Sequence, residues 1–281
     1  MNTFKVIILL ASLSGVLMIV GAVVAGRLGV LTALVLSCLM NIGAYWYSDS
    51  LVLKMNNAQP VSESAAPALY DAVKGLSEKN HIAMPKLYIL SESAPNAFAT
   101  GRNEDHAAVA VTQGLLETLD RNELEGVIGH ELAHIQNQDI LIGSMAATLS
   151  GAVVILANMA KWAAIFGGGQ DGEGGVIGSA VVAIVAPVAA TVIQMAISRS
   201  REYVADEGGA RISGHPESLA NALRKLSSAS RKTRMDASPA TAHMFIVNPL
   251  RADSISNLFS THPPIEKRIE RLMKMKSHKE S

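Results

Sequence analysis

Cysteine is nearly missing. Cys38 is the single thiol among 281 residues, which excludes an intrachain disulfide and any cysteine-ligated metal site, so a metal bound here must use histidine and carboxylate. Aromatic residues are scarce as well, at 4% against 49% hydrophobic residues. The apolar content is therefore mostly Ala, Val, Ile, Leu and Met, the composition of helices buried in lipid. Excess charge of either sign is also lacking, since 24 Lys and Arg balance 24 Asp and Glu. A neutral balance gives no reason to expect nucleic acid as a partner.

The charges present are unevenly spread. Residues 6–26 and 28–48 carry none, with only Arg27 between them. Each run is about the twenty residues needed to cross a hydrocarbon core, and the break leaves room only for a tight hairpin. Tyr45, Trp46 and Tyr47 close the second run, where amphipathic rings suit a membrane interface. Two further uncharged stretches, spans of about 140–160 and 176–198, flank a Gly-rich loop holding Asp171 and Glu173. They read as a second hairpin. Pro187 kinks but does not forbid a span; the rival reading is a buried hairpin of a soluble domain, because Gly, Ala and Ser dilute the hydrophobicity.

Between and after these hairpins the sequence turns polar. A linker follows Lys54; residues 68–79 have helical periodicity, and 85–90, 97–100 and 107–111 read as short strands beside it. Asp120 and Glu123 form a capping-box start. From there Leu124, Val127, Ile128, Leu132 and Ile135 recur at helical spacing around His130-Glu131-Leu132-Ala133-His134. Residues four apart share a helix face, so His130 and His134 can point at one metal ion, while Glu131 lies about 100° round, placed to take a proton from a bound water. That is the layout of a zinc hydrolase.

Two histidines leave a third protein ligand to find. Glu202 is the candidate, in Ser200-Arg201-Glu202-Tyr203-Val204-Ala205-Asp206 directly after the second hairpin; the alternative for it is a solvated residue paired with Arg199 or Arg201. Asp206, four residues on, can accept the second ring N–H of His130. Asp139, five residues beyond His134, reaches back poorly to a metal between 130 and 134. Residues 216–227 read as a helix, 230–240 as a basic loop, and 265–275 as a basic amphipathic helix that caps the domain or lies near anionic lipid. His262, before Pro263-Pro264, is a candidate oxyanion donor or a structural histidine. Asn96 and the backbone of Ala97 and Phe98 are candidates to align substrate as an added strand.

Pro95-Asn96-Ala97-Phe98-Ala99-Thr100-Gly101, the HExxH helix, Ser200 to Asp206 and Thr261-His262-Pro263-Pro264, interleaved with two apolar hairpins in this order, resemble the HtpX family of membrane zinc metalloproteases, gluzincin-like enzymes. The resemblance covers nearly the whole chain. It implies one Zn2+ held by His130, His134 and Glu202, Glu131 as base, and a cytosol-facing site in a bacterial-type inner membrane. It also implies substrates that are misfolded or damaged membrane proteins, cleared alongside other quality-control proteases. The fold class expected is a mostly α membrane protein: a hairpin over 1–54, protease parts over 55–139 and 199–281, and a second hairpin over 140–198. These give four transmembrane helices and a cytosolic α+β zincin-type domain. Two other functions stay open at this point: a zinc hydrolase of prenylated or lipid-like substrates, and a membrane metal-binding protein without turnover.

Overall fold

The computed structural model describes residues 2–151 and 198–279, apart from 236, 239 and 250–261. Its first helix, α1 (Asn2–Met55), is two arms joined at a break where Ala25 leaves helical geometry and Gly26 adopts φ +56°, a conformation glycine takes at no steric cost. The arms run back along each other. Asn41 donates to the Ser14 hydroxyl at 3.0 Å, and Gly21 meets Gly29 with no side chain between them. The second arm, Ala25–Met55, has 31 residues and contains an 18-residue stretch of mean hydropathy 1.8; it is about 46 Å long at 1.5 Å per residue, longer than a hydrocarbon core of roughly 30 Å. Leu28, Leu31, Val35, Leu39 and Ile42 are exposed along it, as a lipid-facing surface requires.

Among the described residues this arm is the one helix long and apolar enough to cross a membrane; Val6–Ala22 is shorter. Of the spans expected over 140–160 and 176–198, only 140–151 and Ser198 lie within the described residues. Those first residues belong to a helix, α5 (139–151), whose Ile142, Met145, Ala146 and Leu149 pack with Val6 and Ala44 of α1. The start of the second apolar segment is thus buried against the first hairpin.

The polar part of the chain is a mixed α+β unit. Strands β1 (Gln59–Pro60), β2 (Lys86–Leu90), β3 (Ala97–Gly101) and β4 (Ala107–Thr112) form one sheet in the order β1-β2-β4-β3, with β2 and β4 parallel and the other pairs antiparallel. The two-residue β1 falls in the stretch read as linker, and Pro60 suits it only because β1 is an edge strand. All six residues of β4 are buried, which explains its unbroken apolar sequence. The opposite edge is β3, and Thr112 N–H donates to Asn96 C=O at 3.0 Å. The antiparallel alternation then turns the main-chain groups of Ala97, Ala99 and Gly101 outward.

Helices α2 (Pro67–Lys79), α3 (Gln113–Thr118), α4 (Arg121–Gln136), α6 (Arg199–Ser213), α7 (Pro216–Ser230) and α8 (Ile265–Lys279) complete the unit. Helix α4 is central, touching α2, β3, α6 and α7. Its start is fixed by the Asp120–Glu123 capping box, and Lys225 of α7 reaches Glu123 at 2.6 Å. Helices α4 and α6 approach closely because both are bare at the crossing. A Cβ on Gly209 would stand 2.6 Å from the His130 amide nitrogen, and one on Gly129 would stand 2.8 Å from the Gly209 carbonyl oxygen.

The crossing carries a testable cost. Gly209→Ala must push α6 off α4 and should lower unfolding stability by about 1–3 kcal/mol, the usual range for overpacking. Gly75→Ala is the control, because nothing lies within 4 Å of its missing Cβ; within α2 it should raise stability by up to about 1 kcal/mol. Thermal unfolding in detergent reads both, and equal effects would show that the crossing is loose.

Candidate metal centre

The α4–α6 crossing sets His130 and His134 against Glu202. The two Nε2 atoms lie 3.2 Å apart, with Glu202 carboxylate oxygens 3.9 Å from His130 Nε2 and 3.6 Å from His134 Nε2. Donor atoms held tetrahedrally at about 2.0–2.1 Å from one ion are separated by roughly 3.3–3.4 Å, so the three positions fit a single metal. Among the described residues these three are the only histidine, cysteine and carboxylate group with that clustering. Two nitrogens and one oxygen are the donor set zinc takes in hydrolases.

Each imidazole is backed by a carboxylate. Asp206 Oδ1 stands 3.0 Å from His130 Nδ1, where the sequence placed it. Asp139 Oδ2 stands 3.3 Å from His134 Nδ1, a contact the sequence reading missed. Residue Gln138, at φ +56°, turns the chain between α4 and α5 and swings Asp139 behind the ring instead of toward the metal position. Such partners fix the tautomer and keep Nε2 for the metal.

Arg268 is the other omission. Its side chain is fully buried, donates to both Asp206 oxygens at 2.7 and 2.8 Å and to Ile246 C=O at 3.0 Å, and passes 3.9 Å from Glu202. The basic helix of residues 265–275 was expected to cap the domain or lie near lipid; it caps the domain and delivers a guanidinium to its centre. A signal existed in the spacing, because Ile265, Arg268, Ile269 and Leu272 share one helix face. Glu131, Asp139, Glu202 and Asp206 against Arg201 and Arg268 leave two negative charges when the histidines are neutral, matching a dication.

Burial pushes Glu131 up to about 7, with His134 acting against it. Burial also lowers His130 to about 4, over the opposing contact with Asp206. For His134, burial is outweighed by Asp139, Glu202 and Glu131, which raise it to about 9. Glu202 is held well below the usual range, because His262, His134 and Arg268 overcome its burial, and Asp206 falls to about 2 as Arg268 and His130 do the same. Without a bound metal, the two imidazoles would therefore carry one proton near neutrality, on His134.

His262 sits beside the ligands. Its Nδ1 is 2.8 Å from Glu202 Oε2, while Nε2 is buried with no hydrogen-bond partner among the described residues. Glu131, His134, Glu202 and His262 line one cavity of about 70 Å³ with Ala99, Arg201, His243 and others. His243, unnoticed in the sequence, places Nε2 3.3 Å from Gly143 C=O, and burial lowers it to about 4.

The proposed substrate-aligning residues are used elsewhere. Asn96 donates to Val247 C=O at 2.7 Å and accepts from the Ala97 amide at 3.1 Å and the Val247 amide at 3.3 Å. Ile246 N–H donates to Ala97 C=O at 3.0 Å, and Phe98 is buried edge-to-face on Phe245. The outward main chain of β3 is thereby occupied at Ala97 by the protein itself. At Gly101 it meets Ser144 Oγ, 3.1 Å from the amide. Ala99, between them, faces the cavity and Glu131.

The chain is also similar to known proteins. The profile of peptidase family M48 matches residues 63–276. The protease HtpX homolog of Syntrophobacter fumaroxidans is 55% identical over 98% of this chain and 99% of its own length, and that of Thermococcus kodakarensis is 54% identical over 95% and 94%. The crystal structure of S. mikatae Ste24p resembles the fold with a TM-score of 0.50 at 17% identity, over 84% of this chain and 56% of that one.

The proton on His134 predicts how metal affinity depends on pH. With its pKa raised to about 9, the ring must release a proton to become a ligand throughout the neutral range. Affinity should therefore rise about tenfold per pH unit on going from pH 6 to pH 8. Competition titration with a chromophoric chelator measures it; affinity independent of pH would mean that His134 holds no proton to release on binding metal.

Proposed function

The chain belongs to peptidase family M48 and is a membrane metalloprotease, and from that premise we propose that it is a zinc endopeptidase using His130, His134 and Glu202 as ligands and Glu131 as base. The observation that carries this is the convergence of His130, His134 and Glu202, whose ligand atoms lie within 4.8 Å of one another, with a second carboxylate, the buried Glu131, in the same cavity. Bound zinc would supply Lewis acidity for the scissile carbonyl and acidify a water.

The protein's own groups account for the rest. Glu131, pushed up to about 7, is matched to accept a proton from water near neutrality and to return it to the leaving amine. His262 has Nδ1 committed to Glu202, which leaves Nε2 as the ring atom placed to meet the oxyanion. Asp206 and Asp139 hold the two ligand imidazoles in orientation. Ala99 is the position on the β3 edge where a substrate backbone can pair; Asn96, Ala97 and Phe98 support that edge by anchoring residues 245–247 beside it.

The substrates we propose are misfolded or damaged membrane proteins, because the catalytic helix runs by one short turn into α5, which is packed on the membrane hairpin. Unfolded loops near the bilayer would reach Ala99 more readily than distant soluble chains. Arg199 and Arg201 flank the last uncharged run, and the Gly-rich loop has Asp171 and Glu173 without Lys or Arg. With four spans in two hairpins, as the uncharged runs suggest, the positive-inside rule puts the catalytic part in the cytoplasm; the bacterial-type inner membrane is what the family resemblance implies.

Two experiments test these assignments. Glu131→Gln should abolish casein cleavage while retaining about one zinc per chain, whereas Glu202→Ala should lose the metal. Retained proteolysis in the first, or full zinc affinity in the second, would overturn the roles. For orientation, a cysteine at Gly169 in a Cys38→Ser background should react with a membrane-impermeant thiol reagent in intact cells, and one at Lys74 should not. The reverse pattern would place the catalytic part outside.

A further inference from the structure

The cavity that holds Glu131 and the ligand edges is walled elsewhere by Ile140 and Gly143 of α5 and by His243 and Met244. Gly143 is unlike the glycines at the α4–α6 crossing. Among the described residues a Cβ there would meet only Met244 Cε, at 3.9 Å, whereas Cβ atoms on Gly129 and Gly209 would meet backbone at 2.6–2.8 Å. Among those residues, neither packing nor backbone conformation requires glycine at 143. What its missing side chain does is leave space between Ile140 and Met244, open to the site where peptide hydrolysis takes place. The neighbouring contact of His243 with Gly143 C=O uses main chain and fixes the wall without filling that space.

We propose that Ile140, Gly143 and Met244 form a substrate side-chain pocket that selects a compact aliphatic residue flanking the scissile bond. This rests on the metalloprotease reading and adds its specificity. Ile140 and Met244 present apolar side chains and Gly143 none, and the neighbouring His243 is turned to Gly143 C=O, so a charged side chain placed between them would be desolvated. The cavity of about 70 Å³ is well under the roughly 150 Å³ that admits a benzene ring, so aromatic residues are disfavoured. Met244 is an adaptable wall, since an unbranched thioether side chain can yield to a ligand.

The test uses the zinc-loaded full chain in detergent and a peptide set derived from a mapped casein cleavage site, varied to Ala, Leu or Phe at each flanking position. The wild type should prefer Leu over both Ala and Phe at one flank. Gly143→Leu fills the space and should lower the Leu-to-Ala ratio of kcat/KM about tenfold or more, the size of effect that a few methylenes produce in an apolar pocket. Met244→Ala enlarges it and should raise the Phe-to-Leu ratio by a similar factor. Parallel losses that leave both ratios unchanged would overturn the pocket while leaving the protease assignment intact. If Gly143→Leu fails to fold, Met244→Ala decides alone. A wild type that cleaves no peptide in a chelator-sensitive way would sink the underlying reading as well.

Discussion

Everything at the metal centre depends on how closely α4 and α6 pack. Gly129 and Gly209 bring backbone against backbone, and only at that separation can a carboxylate from α6 reach the Nε2 atoms presented by α4. A four-residue spacing supplies two ligands on one helix face for any HExxH sequence. Glu202, the third member of the candidate metal cluster, is placed by tertiary packing, and glycine at both sides of the crossing is what allows it. The same approach sets Asp206 behind His130, one turn from Glu202 on the same helix, so one packing contact fixes a ligand and the orientation of another.

Charge shapes the centre next. Burying four carboxylates in one place is costly unless each is paired. Arg268 offsets Asp206 through two charge-assisted hydrogen bonds, and Arg201 lies 3.7 Å from Asp139. Glu131 and Glu202 keep the excess negative charge near the metal-binding atoms. Helix α8 is thus more than a cover: it closes the core with Leu272 and neutralises the layer behind the ligands with Arg268. The apolar helix α1 joins this assembly through α5, whose first residue backs His134 and whose apolar face packs on α1.

The catalytic helix was legible because its signals are local. Asp120 and Glu123 mark its start, apolar residues recur with helical period, and the HExxH spacing lies within two turns. Glu202 and Asp206 were legible as a pair four residues apart. Arg268 was not, because a basic amphipathic helix reads as solvated surface unless its one arginine on the apolar face is noticed. Asp139 was weighed only as a ligand and set aside for its reach; the turn at Gln138 sends it behind His134 instead. Asn96 and Phe98 sit in a strand next to the site, and sequence position alone could not tell that their side chains would anchor residues 245–247. The glycines of the crossing were unreadable for the same reason, since a close approach needs both partners in view.

The account stands or falls on the coordination of the metal. X-ray absorption at the zinc edge of the purified, proteolytically silent Glu131→Gln protein reports the donors directly. Two imidazoles and additional oxygen at about 2.0–2.1 Å, with no sulfur, is the predicted shell. A sulfur contribution near 2.3 Å, which only Cys38 or a methionine could supply, or a shell with fewer than two imidazoles, would contradict it.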